Sequence, residues 1–444
     1  MTQIFNDQGR SPALKFFAIG ALTVLMIVPL FLINTLVWER SSRADEARRE
    51  VAASWGGEQT LIGPVLQVPV TLAEVKDQTG FVSRYSSKRV MAVAPERLKI
   101  EARVDVQERK RGIFTIPVYE TTATITGVFS MSEIRALGGS EEQILWAEGI
   151  VSFGLSDMRG VVEDFTVDFG DQKGLSVEPG SSVSAVGNGV HVAISQEPPG
   201  EAIPFRISVR LRGIDRFSIA PLGRMTEIKM TSNWVHPSFF GATLPLDPKI
   251  TSQGFEASWT VPSLTRSLPQ SWTTDASEAP NLKAASFGVR LYQPVDHYQL
   301  VERALKYAVL FIGLSFLSFF LVELLTGARV HAVQYLLVGV AQVVFYMLLL
   351  SLAEHRGFEQ AYLWSSGATI GLTFLYAISA LKSVLRAVIV LGALSLLYGL
   401  LFMLLREEDY ALLVGSMASF AILAVTMFVT RKIDWYQANE RSAA

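Results

Sequence analysis

The side chains that could carry chemistry are few and scattered. Five histidines stand at His191, His236, His297, His331 and His355. None has a second histidine two, three or four residues away, and H-E-x-x-H does not occur, so a metal site would need ligands brought together from distant parts of the chain. There is no cysteine, which excludes disulfides, Cys-ligated zinc, iron–sulfur clusters and a thiol nucleophile. G-x-S-x-G, the phosphate-binding G-x-x-x-x-G-K-[ST] and a dinucleotide-type G-x-G-x-x-G after a strand are all missing. These absences argue against common hydrolase, NTPase and dehydrogenase chemistry. We expect no metal and no cofactor, and assign no catalytic residue.

Several clusters stand out. In Ser156-Asp157-Met158-Arg159-Gly160, Asp157 and Arg159 form either a ligand-binding turn or a structural turn in which Asp157 caps backbone N–H groups; the second reading is preferred. Trp234-Val235-His236-Pro237-Ser238-Phe239-Phe240-Gly241 lines a pocket or membrane surface through Trp234 and His236, or packs as a loop between strands. Arg111-Gly112-Ile113-Phe114 reads as a strand entry. Glu323 sits in an otherwise apolar run. An intramembrane acid is a functional candidate by default, but Arg329 lies within about two helical turns. Glu354, His355 and Arg356 read as an interfacial loop. Asp296, His297, Glu302 and Arg303 fall between the last strand and a membrane helix. Glu302, Arg303 and Lys306 are spaced to pair along a helix, which suggests a segment coupling the soluble domain to the helical bundle, or a plain linker.

The elements that must position these residues divide by charge. Charged residues make up 18% of the 444 positions, against about 25% in soluble domains, and the deficit is local. A bilayer core takes about 20 apolar residues as a helix. Six runs qualify: Phe16–Trp38, Tyr307–Ala328, Ala332–Ala353, Gln360–Leu381, Ala387–Leu405 and Tyr410–Thr430. The first is too long for a signal-peptide core and lacks an A-x-A site, so it reads as a retained anchor; Pro29 should kink it or loosen one turn. The third to sixth are apolar apart from Gln334, Gln342 and scattered Ser and Thr, which argues against a pump for charged substrates. Arg10, Lys15, Arg329, Lys382, Arg386, Arg431, Lys432 and Arg441 share one set of ends; only Arg356 and Arg406 occupy the opposite short loops. The positive-inside rule then puts both termini in the cytoplasm. Arg40, Arg43, Arg48 and Arg49 oppose this, but they are offset by neighbouring acids and belong to a long domain, and long domains cross largely regardless of charge.

Between the first two spans the chain reads as soluble protein. A stalk helix carries Ala44, Ala47, Val51 and Trp55 at helical spacing and stops at Gly56 and Gly57. Period-2 alternation follows in Ile100–Val106, Thr122–Val128, Phe205–Arg212, Phe255–Val261 and Phe287–Leu291, with turn signals at 178–180, 187–189 and 198–200. A short helix is expected around Ser140–Glu148. The fold class is therefore a multi-pass α-helical membrane protein with six transmembrane helices and a large β-rich, sandwich-like extracytoplasmic domain between helices 1 and 2. The expected division is 1–13 cytoplasmic, 14–38 the first span, 39–306 the β-rich domain with its stalk, 307–430 five further spans, and 431–444 a cytoplasmic tail.

At this level of detail the chain resembles the CreD family, the inner-membrane cell envelope integrity proteins of Gram-negative bacteria. The likeness starts at Glu39-Arg40 leading to Trp55 and at Gly63-Pro64-Val65-Leu66. It runs through the 111–114, 156–160 and 234–239 motifs and is strongest in Phe287-Gly288-Val289-Arg290-Leu291-Tyr292-Gln293-Pro294-Val295-Asp296-His297-Tyr298. It continues through Glu302-Arg303-Ala304-Leu305-Lys306-Tyr307 to His331-Ala332-Val333-Gln334-Tyr335-Leu336-Leu337-Val338-Gly339. Val235 and Ala332 stand where the pattern would carry proline. The resemblance implies an inner-membrane address and a role in envelope integrity, linked to a two-component system of the same name, and no catalytic residues.

Three functions compete. The first is a non-enzymatic protein whose domain binds an envelope protein or lipid partner. The second is a transport or lipid-handling protein with Glu323 as a polar station. The third is a membrane enzyme acting on envelope precursors through Asp157, His236 or His297. The lipid bilayer is a partner in every case. A net charge of −2 shows no basic excess for nucleic acid. The sequence does not indicate an oligomeric state.

Overall fold

A computed structural model of the chain describes residues 12–72, 88–137, 142–181, 188–265, 268–274, 281–291, 297–326, 328, 330–406 and 411–431. The chain forms two compact units, residues 46–294 and residues 1–45 with 295–444.

The second of these is helical. Its elements are α1 (Pro12–Leu25), the first part of α2 (Ile27–Trp55), α4 (His297–Thr326), α5 (Ala332–Arg356), α6 (Phe358–Leu381), α7 (Val384–Arg406) and α8 (Ala411–Thr430); α3 (Met131–Leu137) belongs to the other unit. Among the described residues, six helical stretches are long and apolar enough to cross a membrane, α1 and α2 counting as one. The helix is interrupted at Met26, not at Pro29 itself. Pro29 has no N–H for the Leu25 carbonyl and its ring crowds that group, so the break falls one turn earlier. α4 to α7 close into a four-helix ring, each packing on the next and α7 returning to α4, while α1 lies against α4 and α5. The leucine, phenylalanine and tyrosine side chains turned inward fill the ring: Phe316, Phe345, Leu349 and Leu401 are all buried. α8 packs on α7, and none of its span is buried.

The other unit is a two-sheet sandwich. One sheet runs Pro237–Gly241, Phe287–Leu291, Arg216–Ile219, Gln59–Leu72, Gly149–Leu155, Gly189–Ile194 and Glu178–Pro179, with Arg89–Val93, Ser271–Thr273 and Glu142–Ile144 branching from it. The second runs Leu246–Thr251, Gly254–Pro262, Met225–Ser232, Arg97–Arg111, Phe114–Ser130, Ala202–Ile214 and Thr166–Phe169. The predicted alternation is visible as burial. Phe205, Ile207, Val209 and Leu211 point into the core, as do Ile100, Ala102, Val104 and Val106. One apolar cluster joins inward residues of both sheets. Each fully buried aliphatic or aromatic side chain contributes about 1.5–3 kcal/mol.

One local expectation is sharpened and one changes. Arg111–Phe114 leads into the strand Phe114–Ser130 through a tight hairpin turn, Arg111 and Phe114 pairing directly across it. The helix expected around Ser140–Glu148 is instead a strand at Glu142–Ile144 and one 3-10 turn at Trp146–Glu148, Ser140 lying outside the described residues. Glu142–Ile144 finds hydrogen-bond partners on Val70–Leu72, and that pairing overrides helical propensity.

Candidate functional site

Three polar clusters hold the charged side chains of interest. The first is built on Glu323, near the C-terminal end of α4. Its carboxylate accepts from the Lys15 ammonium of α1, from the Val330 N–H at 3.0 Å and from the Tyr335 hydroxyl of α5 at 2.9 Å. Lys15 also donates to the Val330 carbonyl at 2.7 Å. His331 caps α5 beside this cluster by accepting from the Val333 N–H, and Gln334 closes the box by accepting from the His331 N–H. Glu323 is 8% exposed, so a bare carboxylate there would be costly. Three donors, one of them cationic, satisfy it instead.

The second cluster repeats the design at the opposite end of the α4–α5 hairpin with the roles exchanged. Here α5 supplies the acid, Glu354, and α4 the phenol: Tyr298 donates to Glu354 at 2.9 Å. The cation again comes from the first span, Arg40 on α2, at 3.8 Å. Arg303, one helical turn along α4, donates to the Leu404 carbonyl at the end of α7 at 3.3 Å, where a cation complements the last carbonyls of a helix. Glu302 pairs with Lys306 at 3.0 Å, one turn away. The His297 ring lies 4.2 Å from the Tyr298 ring. Thus His297 and Arg303 form contacts within the helical unit. Asp296 lies outside the described residues.

The third cluster belongs to the sandwich, where the end of α2 enters it. Ala47, Val51, Ala52 and Trp55 pack on Ile116, Val118 and Ile214 of the seven-stranded sheet. Trp55 is held between the guanidinium groups of Arg109 and Arg212, at 3.9 and 4.3 Å, and donates to the Tyr119 carbonyl. The chain then turns through Gly56, whose φ of +118° favours glycine. Asp157 caps this turn, accepting from the Gly57 N–H at 2.9 Å and the Arg159 N–H at 3.0 Å. The Arg159 guanidinium holds both Asp157 oxygens, at 2.9 and 2.7 Å, and reaches the Ala53 carbonyl of the helix. Gln59, fully buried, bridges Asp157 and Arg212 main-chain carbonyls. Gly160 is required here: a Cβ would lie 2.2 Å from both the Arg212 oxygen and the Gln59 amide nitrogen.

Electrostatics agree with this geometry. The Arg159 hydrogen bonds hold the Asp157 carboxyl down at about 2, with help from the Gly57 and Arg159 N–H groups and against its partial burial. Asp157 is therefore ionised and occupied near neutral pH. Burial pushes the Tyr119 phenol well above its usual value; its hydroxyl donates to the Arg216 carbonyl at 2.6 Å. Burial likewise raises Asp215, against the pull of Arg48.

Among the described residues no hydrogen bond joins His236 to Asp157 or Arg159; its carbonyl instead accepts from the Trp234 indole at 3.0 Å. The rest of that motif is an edge strand: Phe239 turns inward onto Phe255 and Trp259, and Phe240 lies under the Arg216 guanidinium. Among the described residues no three His, Asp or Glu side chains gather as a metal site would require. Sequence reasoning missed Tyr335, Tyr298, Arg40, Gln59 and Tyr119 as site members. The two Glu–Tyr pairs did leave a signal. Both are spaced roughly symmetrically about Ala328, Glu323 and Tyr335 close to it, Tyr298 and Glu354 far from it, as an antiparallel hairpin demands.

Two comparisons bear on identity. The family model described as "Inner membrane protein CreD" matches residues 11–436. The Inner membrane protein CreD of Escherichia coli (strain K12) is 34% identical over 427 residues, covering 95% of this chain and 93% of that one.

Proposed function

The chain belongs to the CreD family of inner membrane proteins, and from that premise we propose that it supports cell envelope integrity by binding an envelope component or partner protein through its β-rich domain, without catalysis. One observation carries this reading: the acids nominated for chemistry, Asp157 and Glu323, are each occupied by a cation and by further donors. A general acid or base needs a free position within reach of substrate, and a proton-carrying station needs a carboxylate that can part from its partners. The excess of Lys and Arg at Lys15, Lys382, Arg386 and Arg431 supports cytoplasmic termini and a periplasmic domain.

The test is affinity capture of the full chain from native membranes, with protein and lipid analysis, beside a version whose residues 46–294 are replaced by an unrelated β-domain. The reading expects an envelope component retained by the first and lost from the second. Equal retention by both, or bulk membrane lipid alone, would overturn it.

A further inference from the structure

One face of the sandwich carries an arrangement that strand pairing alone disfavours. Arg216 and Arg290 stand directly opposite each other on the antiparallel strands Arg216–Ile219 and Phe287–Leu291. Their neighbours Phe217, Val289 and Leu291 fill the core, so both arginines belong to the face turned away from it. Residues so paired share that face with Cβ atoms about 5 Å apart, and like charges there repel. The row continues to Ser238 on the edge strand, which pairs with Arg290. Arg290 is exposed. On the other side of Arg216, Glu58 approaches its Nε only to 3.7 Å, beyond hydrogen-bond reach. Among the described residues neither guanidinium donates a hydrogen bond, and Arg290 has no acid in ion-pair contact.

The surroundings hold this pair in place without neutralising it. Arg216 lies over the Phe240 ring at 4.5 Å, a contact that orients a guanidinium and leaves its edge donors free. Gly288 stands between Phe240 and Ser218 in the ladder and has no side chain to block that reach. The acid next along the chain, Asp215, is drawn to Arg48 of the stalk at 3.6 Å. Asp215 also feels Glu58, Arg290 and Arg216, so all five side chains form one electrostatic group in which arginines outnumber acids three to two. Burial of Asp215 favours its neutral form and widens the positive excess.

We propose that Arg216 and Arg290, with the Ser238 hydroxyl, form a binding site for a phosphate group. The proposal rests on the reading that the β-rich domain binds an envelope component, and names the group by which that component is held. An anion between the arginines turns their repulsion into attraction. Phosphate suits the pair better than carboxylate: the two oxygens of a carboxylate fill the fork of one guanidinium, whereas a tetrahedral phosphate has oxygens for both and for a hydroxyl besides. A lipid headgroup and a free phosphate share this chemistry.

The test follows thermal unfolding of the full chain in detergent as inorganic phosphate replaces chloride at constant ionic strength. Phosphate stabilises folded proteins generally by exclusion from their surface. The parent is therefore read against Arg290→Gln, Arg216→Gln and Arg103→Gln, the last an exposed arginine of the other sheet. The expected result is a saturable rise in midpoint for the parent and Arg103→Gln, with an apparent dissociation constant weaker by about tenfold or more in Arg290→Gln and Arg216→Gln. The same rise in all four chains overturns the site. Should Arg216→Gln not fold, the exposed Arg290→Gln decides alone. In chloride Arg290→Gln should unfold no earlier than the parent, since a repulsion is removed; earlier unfolding means that Arg290 already has its partner within the chain, and also overturns the site. Short-chain phosphatidic acid as a second titrant separates the sources: tighter binding than inorganic phosphate assigns a lipid headgroup, equal or weaker binding a soluble phosphate. The capture experiment with the replaced domain does not depend on these arginines, so the site and the broader reading fail separately.

Discussion

Glu323 and Glu354 sit at opposite ends of the same helical hairpin and are built from the same three parts, an acid, a tyrosine and a cation from the first span. They differ in how completely they are closed. Glu323 has Lys15, Tyr335 and the Val330 N–H. Glu354 has Tyr298 and a looser contact to Arg40, whose side chain is 39% exposed. Both carboxylate side chains are buried, at 9% and 6% exposed, so the difference lies in their partners: Lys15 is 26% exposed and in close contact, whereas Arg40 is 39% exposed and 3.8 Å away. An ion pair weakens as its cation opens to solvent. Read together, the two clusters bolt α1 and α2 to the α4–α5 pair at both ends, a positional role for residues that look reactive in sequence.

That comparison can be broken by substitution. Glu323→Ala takes the acceptor away from Lys15, the Val330 N–H and the Tyr335 hydroxyl at a buried position and should cost about 3–5 kcal/mol, seen as a sharply lower thermal unfolding midpoint for the full chain in detergent. Gly160→Ala, in the water-exposed unit, should cost about 2–3 kcal/mol, because backbone and a buried amide block the new methyl; protease resistance of residues 46–294 reports it. Glu354→Ala should cost less, about 1–2 kcal/mol, from one hydrogen bond and a half-exposed ion pair. If it matched Glu323→Ala in the same assay, the contrast between the two ends would fail.

The smallest effect concerns Asp157. Its carboxyl is lowered in the fold, so the stability it supplies is present above the unfolded value of about 3.9 and disappears as pH falls toward about 2. The amount is on the order of 1 kcal/mol, discounted because Arg159 is open to solvent. Asp157→Asn should flatten stability between about pH 4 and pH 2 while leaving the rest of the acid-unfolding curve unchanged, as circular dichroism would record.

The sequence made the spans and strands legible because both depend on local periodicity: an uncharged run can only be a helix in lipid, and Phe205 to Leu211 can bury one face only as a strand. Asp157 was also legible as a turn cap, since its partners lie within the turn or one chain crossing away. The expected helix at 140–148 failed because strand pairing to Val70–Leu72 is invisible locally. The clasp at Glu354 was missed for the same reason. Glu354 lies 56 residues from Tyr298 and farther still from Arg40, and looks like any interfacial acid until the hairpin closes.

The central claim is that Glu323 holds helices together and takes no part in chemistry. A double-mutant cycle of Lys15→Met and Glu323→Leu, read by thermal unfolding of the full chain in detergent, tests it most directly. The account predicts that each single change is strongly destabilising while the pair together approaches the parent, a coupling of about 2 kcal/mol or more. Additive effects, or a Glu323→Leu protein as stable as the parent, would contradict it.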